Sequence, residues 1–153
     1  RLQDPMRELL GEFDTGRLVI ELTQQSDVSD IAELRSSCRL LQQAGAVLCI
    51  DGAGRGFFQQ DRIIELEPEM IKIDPSIVRG CDADDDLRQR ILGLVSLSRR
   101  IGALSVGVGV ERPEELTTLS KLGVDAVQGH LLGKPSTELA AFSTSADAIF
   151  ALT

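Results

Sequence analysis

The sequence has no tryptophan and no tyrosine, and its five phenylalanines make up an aromatic content of only 3%. A hydrophobic core must therefore be built from leucine, isoleucine, valine and alanine, which are among the residue types most often buried in proteins. With 153 residues, the chain is long enough to fold as one domain around such a core.

Basic residues are also scarce, because 16 lysines and arginines face 24 aspartates and glutamates, which gives a formal net charge of −8. Proteins that bind nucleic acid need a basic surface to neutralise phosphates, so this balance argues against a nucleic-acid partner. No apolar run approaches the roughly 20 residues of a membrane-spanning helix. We therefore expect no membrane span in this chain and a cytoplasmic location.

The three cysteines, Cys38, Cys49 and Cys81, are odd in number and widely spaced. This arrangement favours neither a disulfide framework nor a zinc motif. We expect reduced thiols, with Cys38 and Cys49 in the core.

Short apolar runs alternate with amphipathic segments along the chain. Strands are predicted at residues 17–22, 46–50, 70–73, 103–108 and 124–127. Helices are predicted at residues 4–13, 27–44, 59–66, 82–101, 112–122 and from 137 onward. This repeated βα order predicts an α/β fold with a parallel sheet and right-handed crossovers. The pattern alone fits either an open doubly wound sheet or part of a (β/α)8 barrel.

Polar side chains gather where the predicted strands end, which is where parallel α/β folds carry their function. These residues are Glu21, Gln24, Asp51, Lys72, Asp74, Glu111, Gln128 and His130. Converging carboxylates indicate a divalent cation site, although single acidic residues at these places also cap helices and bind loop amides. Lys72 lies inside a strand, where it needs either a charged partner or a route for its amine to the surface.

The glycine-rich segment DGAGRG at residues 51–56 has neither the GxxxxGK[ST] nor the GxGxxG pattern, which argues against a phosphate-binding loop. His130 follows Gly129, and no nucleophile or metal ligand can be assigned to it from the sequence. We therefore interpret His130 as a loop histidine.

Five segments resemble, in order and spacing, the motifs of the EAL domain, the cyclic di-GMP phosphodiesterase family. They are VIELTQ at 19–24, DGAGRG at 51–56, IKID at 71–74, VGVGVE at 106–111 and VDAVQGHLLGKP at 124–135. The resemblance implies a single EAL-like domain over residues 1–153, which forms the C-terminal portion of a TIM-type (β/α)8 barrel with about five strands. The EAL tripeptide, the first glutamate ligand, the arginine that follows and the asparagine ligand would all lie upstream of this portion.

The resemblance also assigns roles to individual residues. In the family, two Mg²⁺ or Mn²⁺ ions activate the water that cleaves cyclic di-GMP to pGpG. Glu21 and Asp51 stand at metal-ligand positions, and Lys72 stands at the position that orients the catalytic water. Glu111 and Gln128 are retained from the ligand-binding set.

Three positions depart from the family pattern, because Gln24, Gly52 and Val108 replace acidic residues. Glycine and valine offer no side-chain oxygen to a metal, so we expect an incomplete site in which the metal ligands and Lys72 are vestigial. Lys72 would then pair with Asp51 or Glu21 as an ion pair.

These departures favour a non-catalytic EAL-like module of bacterial cyclic di-GMP signalling, which needs no cofactor and acts by binding a protein or cyclic di-GMP. One alternative is a weak cyclic di-GMP phosphodiesterase that uses Mg²⁺ or Mn²⁺, with missing residues supplied from upstream or by another chain. A third is a structural oligomerisation unit, because five strands leave two open sheet edges. We therefore also expect a homo-oligomer.

Overall fold

The computed structural model describes residues 18–23, 31–55 and 60–133, which form alternating strands and helices. The strands are β1 (Val19–Leu22), β2 (Val47–Ala53), β3 (Met70–Ile73), β4 (Leu104–Val108) and β5 (Ala126–Gln128). The helices are α1 (Ile31–Gln43), α2 (Gln60–Leu66), α3 (Pro75–Val78), α4 (Asp85–Ile101) and α5 (Pro113–Leu122). The helices predicted at residues 4–13 and after 137 lie outside the described residues, as does Gln24. Among the helices described, none has the length and apolar character needed to cross a bilayer.

The five strands form one parallel sheet in the order β1-β2-β3-β4-β5. A doubly wound sheet reverses its strand order partway along, whereas a barrel adds each new strand beside the previous one. The observed order is therefore that of a barrel segment, and it confirms the predicted α/β fold of parallel βα units.

One face of the sheet is covered by helices and carries the core. Ile50, Ile71 and Ile73 are fully buried there, together with Ile91 of α4 and Leu119 of α5. Burial of such aliphatic side chains contributes about 1.5–3 kcal/mol each, which explains how the chain forms a core without tryptophan or tyrosine.

The opposite face combines polar and apolar side chains. Glu21, Cys49, Met70 and Leu104 are aligned on it across neighbouring strands. Leu104 is 54% exposed and Val19 is 48% exposed, although both are large and apolar. In a complete barrel this face would point towards the interior.

Two boundaries differ by three residues from the predictions made from the sequence, and the others in the described residues differ by no more than two. Strand β2 continues to Ala53 instead of ending at Ile50, and its register shifts between Ile50 and Ala53. Gly52 lies at this irregularity with φ +73°, the left-handed conformation typical of a glycine bulge. Helix α4 begins at Asp85 instead of Asp82, because the Asp84 side chain caps it by accepting hydrogen bonds from two backbone amides of the first turn.

Candidate functional site

The carboxyl ends of the strands form a rim, and the sheet register places the predicted site residues on one face of it. Lys72 on β3 is opposite Val106, and Val108 on β4 is opposite Gln128 on β5. Glu21 on β1 is opposite Cys49, and Asp51 follows Cys49 by two residues. The residues named by the sequence motifs therefore meet along one edge of the sheet.

Lys72 forms an ion pair with Glu21, in which its Nζ donates a hydrogen bond to Oε1 of the carboxylate. Burial alone would lower the pKa of Lys72, but the hydrogen bond and charge of Glu21, with a smaller effect of Asp51, raise it above its ordinary value. The amine is therefore firmly protonated. Of the two partners predicted for Lys72, the structure pairs it with Glu21.

Cys49 lies beneath this ion pair and is fully buried. Burial raises the pKa of its thiol to about 11, while the charge of Lys72 acts in the opposite direction. Cys38 and Cys81 are also free, buried and raised in pKa to about 11, mainly by burial. The predicted burial of Cys38 and Cys49 is confirmed, and all three thiols are too poorly ionised to act as nucleophiles.

The loop after β2 is held by two arginines. Arg55 places its Nη1 atom 3.8 Å from Oδ1 of Asp74, and Arg90 donates a hydrogen bond of 2.8 Å to the carbonyl oxygen of Gly54. The same Asp74 oxygen accepts a hydrogen bond of 2.8 Å from the Ser76 amide and caps α3, a short helix that the sequence analysis missed. Asp74 is thus engaged both by the cation and by its own helix.

A cleft of about 530 Å³ opens beside the ends of β4 and β5. Val108, Gln128 and His130 line it, and Arg79 and Glu111 form an ion pair of 2.7 Å at its wall. Its volume lies within the range typical of small-molecule sites. The cleft brings together the two residues assigned to ligand binding from the sequence, Glu111 and Gln128.

Glu115 is a buried carboxylate that the sequence analysis did not single out. It is 2% exposed and accepts hydrogen bonds from the backbone amides of Gly80, Glu111 and Arg112 at 3.0–3.1 Å. Burial alone would raise its pKa, but these hydrogen bonds outweigh burial and lower it. One feature of the sequence could have identified it. Glu115 is the third residue of a helix that begins at Pro113, and a glutamate at this position is typical of a capping box.

The described rim does not fit a pair of divalent ions. Mg²⁺ and Mn²⁺ sites need several oxygen ligands around each ion, but Gly52 and Val108 supply none from their side chains. One oxygen of Glu21 is already engaged by Lys72. Within residues 18–23, 31–55 and 60–133, no three His, Cys, Asp or Glu side chains are grouped so that they could share a metal ion.

The family assignment follows from the fold, the rim and a sequence comparison. The profile of the family described as the EAL domain matches residues 2–135, which is most of the chain. The chain therefore belongs to the EAL domain family, as the order of its motifs predicted.

Two relatives of this chain are named as cyclic di-GMP phosphodiesterases. It is 27% identical over 130 residues to PdeF of Escherichia coli and 28% identical over 139 residues to RocR of Pseudomonas aeruginosa, both named as such. These matches cover 84% and 90% of this chain but only 17% and 36% of the relatives' lengths. The chain thus corresponds to a minor part of either relative.

A solved structure supports the same assignment. BlrP1 of Klebsiella pneumoniae, in a complex with manganese and cyclic di-GMP, is similar with a TM-score of 0.79 and 25% identity. The match covers 87% of this chain and 35% of that one. The five-stranded sheet described above is thus shared with a TIM-barrel-like EAL domain.

Proposed function

We propose that residues 1–153 form a single non-catalytic EAL module of bacterial cyclic di-GMP signalling, located in the cytoplasm, which acts by binding and not by hydrolysis. The observation that carries this proposal is the Lys72–Glu21 ion pair on a rim where Gly52 and Val108 offer no oxygen ligand. The relatives' names support the signalling context, and the composition of the rim supports the loss of catalysis.

Phosphodiester hydrolysis by a two-metal site requires cations that activate the attacking water and stabilise the charge on the phosphate. The Lys72 amine cannot activate water as these ions do, because its raised pKa keeps it protonated and it already donates to Glu21. A protonated amine cannot accept a proton from water, so it cannot act as the general base. The described rim therefore has neither a group that can take a proton from water nor a complete set of ligands for a metal ion that would activate water.

We propose a protein as the main partner of this module. The described rim carries the carboxylates of Glu21, Asp51, Asp74 and Glu111 against three basic side chains, so a dianionic nucleotide meets no excess of positive charge. Cyclic di-GMP binding is the second candidate, because the cleft holds the Gln128 amide and the Glu111 carboxylate, which can bond to the edge of a base.

The decisive test is turnover of cyclic di-GMP by this chain with Mg²⁺ or Mn²⁺, followed by chromatography of pGpG. We expect no product above a protein-free control, whereas a catalytic EAL domain measured in parallel should give product. Glu21→Gln is the matched control, because it keeps the size of the side chain but removes the charge of a metal-ligand position. Product formation that Glu21→Gln abolishes would refute the proposal and favour the weak phosphodiesterase.

Calorimetry separates the two modes of binding. Titration of cyclic di-GMP in the presence and absence of Mg²⁺ should give no heat of binding if the module recognises a protein. Equal binding under both conditions would instead support a nucleotide sensor, and binding only with Mg²⁺ would contradict the proposed loss of the metal site.

Association of two copies is a further candidate function, favoured by the exposure of Leu104 and Val19 on the face opposite the helices. Apolar residues on an open sheet face attract another such face. We expect sedimentation velocity to show a concentration-dependent dimer that Leu104→Glu dissociates. Leu92→Glu changes an exposed leucine on α4 and should leave the dimer intact. A wild-type chain that stays monomeric at all concentrations would contradict this.

A further inference from the structure

Three of the four carboxylates on the described rim form ion pairs with basic side chains of the chain itself. The pairs are Glu21 with Lys72, Asp74 with Arg55 at 3.8 Å, and Glu111 with Arg79 at 2.7 Å. Each pair joins residues that are far apart in the sequence, so the fold and not a local turn brings them together. The carboxylates of Glu21, Asp74 and Glu111, which could attract a divalent ion, are therefore already paired with positive charge.

We infer that Arg55 and Lys72 take the electrostatic place of bound divalent ions, and that Arg55 excludes a metal ion from Asp74. This inference rests on the proposed function, since a rim that needs no metal is one that does not hydrolyse. Arg55, which lies in the glycine-rich segment at residues 51–56, would thus lower the affinity of the rim for divalent ions.

The position of Arg55 makes this role specific. Its side chain is 59% exposed, whereas the Asp74 side chain that it reaches is only 17% exposed. The hydrogen bond from Arg90 to the Gly54 carbonyl anchors the adjacent backbone, from which the partly exposed guanidinium reaches Asp74. A divalent ion coordinated by Asp74 would lie within roughly 4–6 Å of this guanidinium and would be repelled by it.

Gly52 contributes to the same effect. A side chain added there would place its Cβ 3.5 Å from Oδ2 of Asp74, and the φ of +73° favours glycine over most other residues. An acidic residue at position 52 would bring a second negative charge next to Asp74 and attract a cation. The combination of Gly52 and Arg55 lowers the negative charge at this point of the rim.

The test is a titration of Mn²⁺ against the full chain, followed by paramagnetic broadening of backbone amide signals and by thermal unfolding. We expect Arg55→Ala to bind Mn²⁺ at least about tenfold more tightly than the wild type, with broadening centred on Asp51 and Asp74. Adding Lys72→Met should increase the affinity again, because it frees Glu21. Arg100→Ala is the matched control, since it removes the same charge from the exposed end of α4.

Equal Mn²⁺ affinity of the wild type and Arg55→Ala would overturn the inference, as would an equal gain in Arg100→Ala. If Arg55→Ala does not fold, Arg55→Gln gives the same test, because it retains most of the side chain without the charge. The two failures are distinguishable: turnover of cyclic di-GMP by the wild type refutes the proposed function. An inactive wild type with no gain of Mn²⁺ binding in Arg55→Ala refutes only the inference.

Discussion

Glu115→Ala is expected to lower the free energy of unfolding by about 2–4 kcal/mol. The carboxylate accepts hydrogen bonds from the amides of Gly80, Glu111 and Arg112, and its removal leaves three partly buried amides without this acceptor. It also joins the turn after α3 to the loop after β4, so the wall of the cleft should loosen. Urea unfolding measures the first effect, and hydrogen exchange of the Gly80 amide measures the second.

The stabilisation by Glu115 depends on pH in a direction that follows from its lowered pKa. A carboxyl whose pKa is lower in the folded state stabilises the fold fully above its unfolded value, about 4.3 for glutamate. The stabilisation begins to be lost when the pH falls below the pKa of the unfolded state, and it is gone once the pH is below the lower pKa of the folded state. The difference in stability between the wild type and Glu115→Gln should therefore shrink as the pH is lowered from 6 to about 3.

Glu114→Ala is the matched control for both measurements. Glu114 precedes Glu115 in the first turn of α5 but is exposed, so its loss should cost no more than about 0.3–1 kcal/mol from the helix dipole. If Glu115→Ala and Glu114→Ala reduced the stability equally, the buried carboxylate would have no special structural role.

Gly129→Ala is the other substitution expected to have a large effect. A Cβ at this position would lie 2.1 Å from the carbonyl oxygen and 2.4 Å from the nitrogen of Val110, both of which are backbone atoms that cannot rotate away. The two segments are bonded through the Gln128 carbonyl, which accepts from the Gly109 and Val110 amides, and through the Leu131 amide, which donates to Val110. We expect a loss of about 3 kcal/mol or more, concentrated at β5 and the cleft.

Gly133→Ala tests whether this effect is steric. Among the described residues, no atom lies within 4 Å of a Cβ built at Gly133, so the substitution should change the stability by less than about 0.5 kcal/mol. Urea unfolding gives the global cost of each variant, and exchange of the Leu131 amide gives the local cost. Comparable stability of the two variants would show that the backbone of this loop can move apart without penalty.

The alternating strands and helices could be anticipated from the sequence because each apolar run is short, bounded by polar or glycine residues, and followed by a helix or loop. The strand order of a barrel segment was implied only by the family resemblance, since the pattern alone also fits a doubly wound sheet. The pattern of apolar runs could not decide whether Lys72 pairs with Glu21 or with Asp51. Lys72 lies on β3 and Glu21 on β1, and they meet across Cys49 of the strand between them. Which carboxylate the amine reaches depends on the register of three strands, which the hydrophobic pattern leaves open.

Other features were missed because they depend on contacts between distant segments. The extension of β2 to Ala53 relies on pairing with Ile73 beyond an irregularity at Gly52, where local composition indicates a loop. The role of Glu115 relies on the Gly80 amide, which is 35 residues away in the sequence. An acidic residue in the first turn of a helix is ordinary, so only the approach of the second segment distinguishes Glu115 from Glu114.

The sequential strand order has a consequence for how the chain reaches its native state. Every strand pairs with the strand that precedes it in the chain, so each new ladder closes a loop of modest length and can be added to structure already formed. Such stepwise growth predicts rapid early formation around the central strand β3 and slower ordering of β1 and β5.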